Sequence, residues 1–98
     1  MTNKEYIMST IKNHKPELTK LGIRDIGLFG SYVRDEQSAI SDIDISIEFN
    51  PEMENYDNYM AVYDLFEQLF KNEKVELITK NDLSPYIGPG ILKEVMYV

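Results

Sequence analysis

The segment DIDISIEF at residues 42–49 constrains the fold most strongly, because polar and apolar side chains alternate along it without exception. A period of two is that of a half-buried β-strand and not of a helix. An apolar strand face has to be covered by another layer of structure. We therefore expect a sheet with one face packed on a core, and the polar residues of this strand on the other face: Asp42, Asp44, Ser46 and Glu48.

The rest of the chain predicts helices and two further strands around this one. The spacing of apolar residues and of Gly and Pro predicts helices over 3–14, over a short stretch from Pro16 to a stop at Gly22, over 56–71 and over 89–96. It predicts strands over 23–29 and 74–79, with a short helical turn over 31–35. The expected fold class is α/β (α+β), with a sheet of about three strands. A length of 98 residues fits one domain, 1–98.

Composition excludes several functional classes. The chain has no cysteine and one histidine, which excludes thiolate chemistry and a multi-histidine zinc site. It has no apolar run of about 20 residues and no apolar segment near its N-terminus, so we expect a cytoplasmic protein without a membrane partner. A net charge of −7 argues against non-specific nucleic-acid binding, which needs basic contacts. Phosphate binding by such a chain would need a metal ion.

Asp42 and Asp44 are the first candidate functional residues. Two positions apart on a strand, they point to the same face with Cα atoms about 6.5–7 Å apart. Carboxylates that close raise each other's pKa unless a cation lies between them, and Mg²⁺ is commonly held by one or two carboxylates plus phosphates. The alternative is that both belong to the solvated face of the strand.

Gly30, Ser31 and Arg34 are the candidate phosphate-binding residues. A glycine directly after an apolar strand allows a sharp turn and a close approach of the backbone to a ligand. Ser31 then offers a hydroxyl and an N–H at the start of a helical turn. Arg34 follows one turn later and could reach a phosphate or an aspartate. Its alternative is a surface ion pair with Asp35 or Glu36.

The combination of Gly30-Ser31, Arg34 and Ser41-Asp42-Ile43-Asp44 resembles the minimal nucleotidyltransferases of the polymerase-β-like superfamily. The resemblance extends over most of the chain, and it implies a mixed sheet backed by helices. The implied activity is transfer of a nucleoside monophosphate from an NTP to a hydroxyl group with two Mg²⁺ ions. Gly30 and Ser31 would hold the triphosphate, and Asp42 and Asp44 the metals.

The resemblance also implies a third catalytic carboxylate on a later strand, where this chain has Glu76 in the segment KVELIT. The usual residue is Asp, so Glu76 is a departure that brings catalytic competence into question. Glu can ligate a metal or accept a proton, but it displaces the carboxyl group by about one methylene, and mispositioning of ~1 Å can cost about 10²-fold in rate. The alternative is an ordinary residue on the wet face of the strand.

The resemblance implies a partner as well. Similar proteins are antitoxins of HEPN-family RNase toxins, some of which they inactivate by adenylylating a tyrosine. The leading hypothesis is transfer of AMP from ATP to such a toxin. The alternatives are a catalytically silent antitoxin that acts by contact, and a transferase for a small molecule of the aminoglycoside type.

The helix predicted over 56–71 also bears on partners. Its apolar residues span about 180°, whereas a core-facing stripe needs somewhat over 100°. This width predicts either oligomer formation through the helix or a helix packed between the sheet and a neighbouring helix.

Overall fold

The computed structural model describes residues 3–34, 36, 42–71, 73–79 and 94–98. Two helices come first, α1 (Lys4–Asn13) and α2 (Lys15–Lys20). They are followed by strands β1 (Ile23–Phe29) and β2 (Ile43–Phe49), and then by a short 3₁₀ helix at Pro51–Met53. The described elements end with helix α3 (Tyr56–Leu69) and strands β3 (Val75–Thr79) and β4 (Met96–Tyr97).

The described strands form one mixed sheet in the order β3-β2-β1-β4. β1 pairs antiparallel with both β2 and β4, whereas β2 and β3 are parallel and are connected through α3. The predicted fold class, a small sheet packed against helices, is therefore confirmed. The sheet has four strands instead of the expected three.

One face of the sheet carries the core. The apolar residues of the alternating segment are all buried there, as the period of two predicted, and α1, α2 and α3 contribute further buried side chains to the same cluster. The members from helices are Ile7, Ile11, Leu18, Val62 and Phe66. The polar residues of β2 lie on the opposite face, where Asp44 and Glu48 are half-buried and Ser46 is buried.

The C-terminal segment corrects one prediction. A helix was expected over 89–96, but Met96 lies in β4, where it pairs with Leu28 of β1. Residues 89–93 lie outside the described residues. Gly27 explains the pairing, because a Cβ on it would lie 2.3 Å from the Val95 side chain and 3.4 Å from the Tyr97 ring. The missing side chain at Gly27 leaves room for the C-terminal strand to pair with β1.

The wide apolar arc of α3 is used mostly within the chain. Val62 and Phe66 are buried, and further residues of the helix pack partly against the core: Tyr59, Tyr63, Leu65 and Leu69. Tyr56, at the start of the helix, is 74% exposed. The described residues contain no helix that is both long enough and apolar enough to cross a bilayer.

Candidate active site

Asp44 and Glu76 meet on the polar face of the sheet. They are register partners on the parallel strands β2 and β3, and their side chains hydrogen-bond to each other. Partners in register point to the same face, so the strand pairing itself brings these two carboxyl groups into contact. The sequence predicted that both residues belong to one site. The alignment of β2 with β3 brings their side chains into contact, which the periodicity of each single strand could not predict.

The electrostatics of this pair centre on Asp44. The pKa of Asp44 is raised from 3.8 to about 7, first by burial and then by the hydrogen bond and charge of Glu76. The charge of Asp42 raises this pKa further, whereas the guanidinium of Arg34 lowers it. Two carboxyl groups in contact hold a proton between them because both cannot be ionised without repulsion. A cation at the same place would relieve the repulsion without a proton.

Asp42 is the third carboxylate near this pair. It lies just before β2 and is half-buried, and its charge acts on Asp44. Within the described ranges, however, no three carboxylate or histidine side chains are arranged closely enough to hold one metal ion among them. The donor set still fits Mg²⁺ chemically, because this ion commonly takes one or two carboxylates and fills its remaining positions with water and substrate phosphates.

Gly30 lies directly against Asp44. Its φ of +81° is in the left-handed region, and a Cβ at this position would come within 2.1 Å of Asp44 Oδ2. Both the backbone conformation and the space therefore require glycine. The end of β1 can approach the carboxyl group only because position 30 has no side chain, which places the predicted phosphate-binding turn beside the predicted metal ligand.

The segment after Gly30 forms the expected helical turn. The backbone N–H groups of Val33 and Arg34 both donate to the Gly30 carbonyl, at 3.1 and 3.3 Å. Ser31 is half-buried at the start of this turn. Residue 35, the end of the predicted turn, lies outside the described residues.

Arg34 is engaged by two carboxylates. Its Nε donates to Glu36 at 2.8 Å, and its Nη1 pairs with Glu94. The pair with Glu36 is one of the alternatives that local sequence allowed, and Asp35 lies outside the described residues. Glu94 is 60 positions away, so no local pattern could have found it. These two carboxylates compete with a phosphate for the guanidinium of Arg34.

Tyr32 is a residue that sequence reasoning missed. It is only 3% exposed, and its hydroxyl donates to Glu73 Oε2 at 3.3 Å. Burial raises the pKa of Tyr32, and the charge and hydrogen bond of Glu73 raise it further. The signal available in the sequence was a large aromatic residue inside a short polar turn, since such a ring has to be buried somewhere.

A concave surface lies at the other end of β2 and β3. It has a volume of about 340 Å³ and is lined by Phe49, Glu54, Asn55, Tyr56, Tyr59 and Thr79. None of the six predicted site residues lines it. Glu76, in contrast, is exposed on the polar face of the sheet.

Comparison with known proteins decides the family. Residues 11–98 match the family described as nucleotidyltransferase domain. The chain belongs to this family. A curated relative, the protein adenylyltransferase MntA of Thermococcus cleftensis, is 37% identical over 99 residues, covering 100% of this chain and 98% of the relative. The enzyme class predicted from the sequence, a nucleotidyltransferase, is thereby confirmed.

Solved structures agree with this nucleotidyltransferase fold. A structure described as a minimal nucleotidyltransferase superposes with a TM-score of 0.83 at 19% identity, covering 97% of this chain and 95% of that chain. A toxin–antitoxin crystal structure with AMP-PNP superposes with a TM-score of 0.62 at 24% identity, covering 87% of this chain and 69% of that chain. At these identities the likeness concerns the fold.

Proposed function

We propose that this nucleotidyltransferase transfers AMP from ATP to a tyrosine hydroxyl of a HEPN-type toxin and thereby acts as its antitoxin. Support for AMP as the transferred group comes from the T. cleftensis relative, which is named a protein adenylyltransferase. Support for a toxin partner comes from the similar fold found in a toxin–antitoxin structure with AMP-PNP. The name of this relative, MntA, and the resemblance of the sequence to minimal nucleotidyltransferases support the same proposed function.

The observation that carries the proposal is the contact of Asp44 with Glu76 beside Gly30. Three separate segments of the chain bring together two carboxyl groups and the Gly30 turn. A structural salt bridge would have placed a basic residue in one of these positions. Two acidic groups in contact instead raise the free energy of the folded protein unless a cation or proton is bound between them.

Asp42, Asp44 and Glu76 are the proposed ligands of two Mg²⁺ ions, each ion held by one or two of these carboxylates and completed by water and substrate phosphates. When bound, the ions would neutralise the charge of the triphosphate and lower the pKa of the acceptor hydroxyl. The acidic site and the acidic substrate can then meet despite the net charge of −7. Gly30 and Ser31 are the proposed triphosphate ligands, through backbone N–H groups and the serine hydroxyl. Arg34 would join them, in competition with Glu36 and Glu94.

In the proposed reaction the acceptor oxygen attacks the α-phosphorus of ATP. The bond from this phosphorus to the bridging oxygen of the β-phosphate breaks, and pyrophosphate leaves. Glu76 takes the proton of the acceptor hydroxyl, for which its exposed position on the polar face is suited. The products are a phosphodiester-linked AMP on the partner and pyrophosphate.

The test is transfer of label from α-labelled ATP to the product of the neighbouring gene, with Mg²⁺ and with EDTA. We expect label on the partner in the sample with Mg²⁺ and none in the sample with EDTA. The intact mass of the labelled partner should rise by one or more AMP groups. Labelling of a small-molecule hydroxyl compound but not of the partner would favour the aminoglycoside-type alternative. Neutralisation of the partner with no change in its mass would favour an antitoxin that acts by contact.

A further inference from the structure

We propose that Tyr32 and Glu73 are positioning residues, whose hydrogen bond sets the distance between the phosphate-binding turn and the carboxylate of Glu76. The proposal rests on the proposed function, since it assigns a purpose to the turn and to Glu76. It adds two residues outside the motif that identified the site. Neither touches the reacting atoms, and each acts through a neighbour in sequence.

One end of the link is the phosphate-binding turn. Tyr32 directly follows Ser31, and its ring belongs to the buried core cluster, with 3% of the residue exposed. The ring therefore anchors the turn to the core. Its hydroxyl points to Glu73, which is 41 positions later in the chain. The bond from Tyr32 to Glu73 thus ties the turn to a distant segment of the chain. The hydrogen bonds from Val33 and Arg34 to Gly30, in contrast, stay within the turn.

The other end of the link is the start of β3. Glu73 lies two residues before the strand and three before Glu76. Between them the Lys74 carbonyl accepts a hydrogen bond of 2.8 Å from Ile43 N–H, which holds the start of β3 to the start of β2. The short stretch from Glu73 to Glu76 therefore has little freedom. A bond from Tyr32 to Glu73 fixes the turn relative to the carboxylate pair.

The chemistry of transfer makes such a link useful. The α-phosphate must lie in line with an acceptor oxygen whose proton Glu76 receives, while the turn holds the leaving pyrophosphate. Displacement of one group by ~1 Å can cost about 10²-fold in rate while binding changes little. A single hydrogen bond that joins the two groups therefore affects turnover more than nucleotide affinity.

The first experiment measures kcat and KM for ATP in four variants. Tyr32→Phe keeps the ring and removes only the hydroxyl, and Glu73→Ala removes the acceptor. We expect each to lower kcat by about 10- to 100-fold with KM changed less than about threefold. The double variant should be no worse than either single one, because both remove the same bond. Glu73→Gln keeps an oxygen that accepts from Tyr32 and should restore most of kcat.

A kcat of Tyr32→Phe within about twofold of the original, or losses that multiply in the double variant, would overturn the proposal. So would a Glu73→Gln variant as slow as Glu73→Ala, since that would mean that the carboxylate acts by charge and not by accepting the bond.

A second experiment separates this proposal from the proposed function. Amide hydrogen exchange is measured on the free protein and on Tyr32→Phe, without nucleotide or partner. We expect faster exchange in both the 30–34 turn and residues 73–76, with α1 unchanged. If the wild-type protein transfers no nucleotide while this pattern is found, the proposed function fails and the link stands. Exchange that is unchanged, or that rises equally in α1, would overturn the link itself.

Discussion

Asp44 and Glu76 occupy partner positions on neighbouring parallel strands, and their carboxyl groups are in hydrogen-bond contact. Such a contact between two acids is unfavourable at neutral pH unless a proton or a cation is shared. The sheet is thus built with a local destabilising element on its polar face. The effect of this contact on the free energy of unfolding can be measured without knowing the substrate.

The first prediction concerns the pH dependence of stability without metal. Because the pKa of Asp44 is raised to about 7 in the folded protein, the fold retains a proton that the unfolded chain loses. The resulting stabilisation is present at pH values below the usual pKa of Asp and disappears as the pH rises through 7. Asp44→Asn should therefore gain stability relative to wild type between pH 5 and pH 8. The measurement is urea unfolding in EDTA at both pH values.

Asp64→Asn is the matched control for this experiment. Asp64 is exposed on α3, away from the carboxylate pair, and carries the same chemical change. Its stability difference from wild type should be the same at pH 5 and pH 8. If Asp44→Asn behaves in the same way, the two carboxyl groups do not repel each other in solution.

The second prediction concerns metal-dependent nucleotide binding. ATP with Mg²⁺ should raise the melting temperature, and ATP with EDTA should raise it much less, because the carboxylates repel a bare triphosphate. Asp44→Asn should reduce the part of the shift that needs metal. The measurement is a thermal melt with each combination of ATP, Mg²⁺ and EDTA. An equal shift with and without metal would contradict a carboxylate-held cation.

The third prediction compares two glycines with positive φ. At Gly30 a Cβ would meet Asp44 Oδ2 at 2.1 Å, and at Gly22, with φ +98°, it would meet Met53 Cβ at 2.5 Å. A side chain in this backbone region costs about 1–3 kcal/mol, so both alanine variants should lower the free energy of unfolding. Only Gly30→Ala should also displace Asp44. The measurements are urea unfolding and nucleotide transfer.

Gly22→Ala serves as the control for general destabilisation. Assayed at a temperature where both variants are folded, it should keep most of its transfer activity and its Mg²⁺-ATP melting shift. Gly30→Ala should lose both. Equal retention of activity by the two variants would mean that the contact of Gly30 with Asp44 has no catalytic importance.

Much of the fold could be predicted from local pattern. The alternation in DIDISIEF predicted β2 and its two faces, and apolar spacing predicted β1, β3 and α3 to within two residues at each end. Gly30 stood out as the residue that ends a strand and allows a sharp turn. These features depend on residues near one another in the sequence, so periodicity and turn chemistry suffice to find them.

Contacts between distant segments could not be predicted in this way. The strand at Met96–Tyr97 exists because β1 offers a free edge and Gly27 leaves space, whereas its own sequence fits a helix equally well. The same holds for the pairs of Arg34 with Glu94 and Tyr32 with Glu73, which lie 60 and 41 positions apart. The register of Asp44 with Glu76 also depends on how β2 and β3 align, which the faces of single strands do not determine.

The last prediction separates catalysis from binding by contact, and it concerns Glu76. Glu76→Gln keeps the size and shape of the side chain but removes the charge that would hold Mg²⁺ and accept the proton. We expect it to abolish transfer while the fold and the partner complex persist. Glu76→Asp, which keeps the carboxylate and shortens the side chain by one methylene, should retain activity. Transfer is read from the intact mass of the partner, and complex formation from co-purification.

Whether the variants still neutralise the partner distinguishes an antitoxin that acts by transfer from one that acts by contact. If the protein acts by transfer, Glu76→Gln and Asp44→Asn should both bind the partner but leave it active and unmodified. If it acts by contact, both variants should neutralise the partner as well as wild type does, and the partner's mass should stay unchanged even with wild type. A double variant that still neutralises an unmodified partner would overturn the enzymatic mechanism for that partner, because no carboxylate of the Asp44–Glu76 pair would then remain to support it.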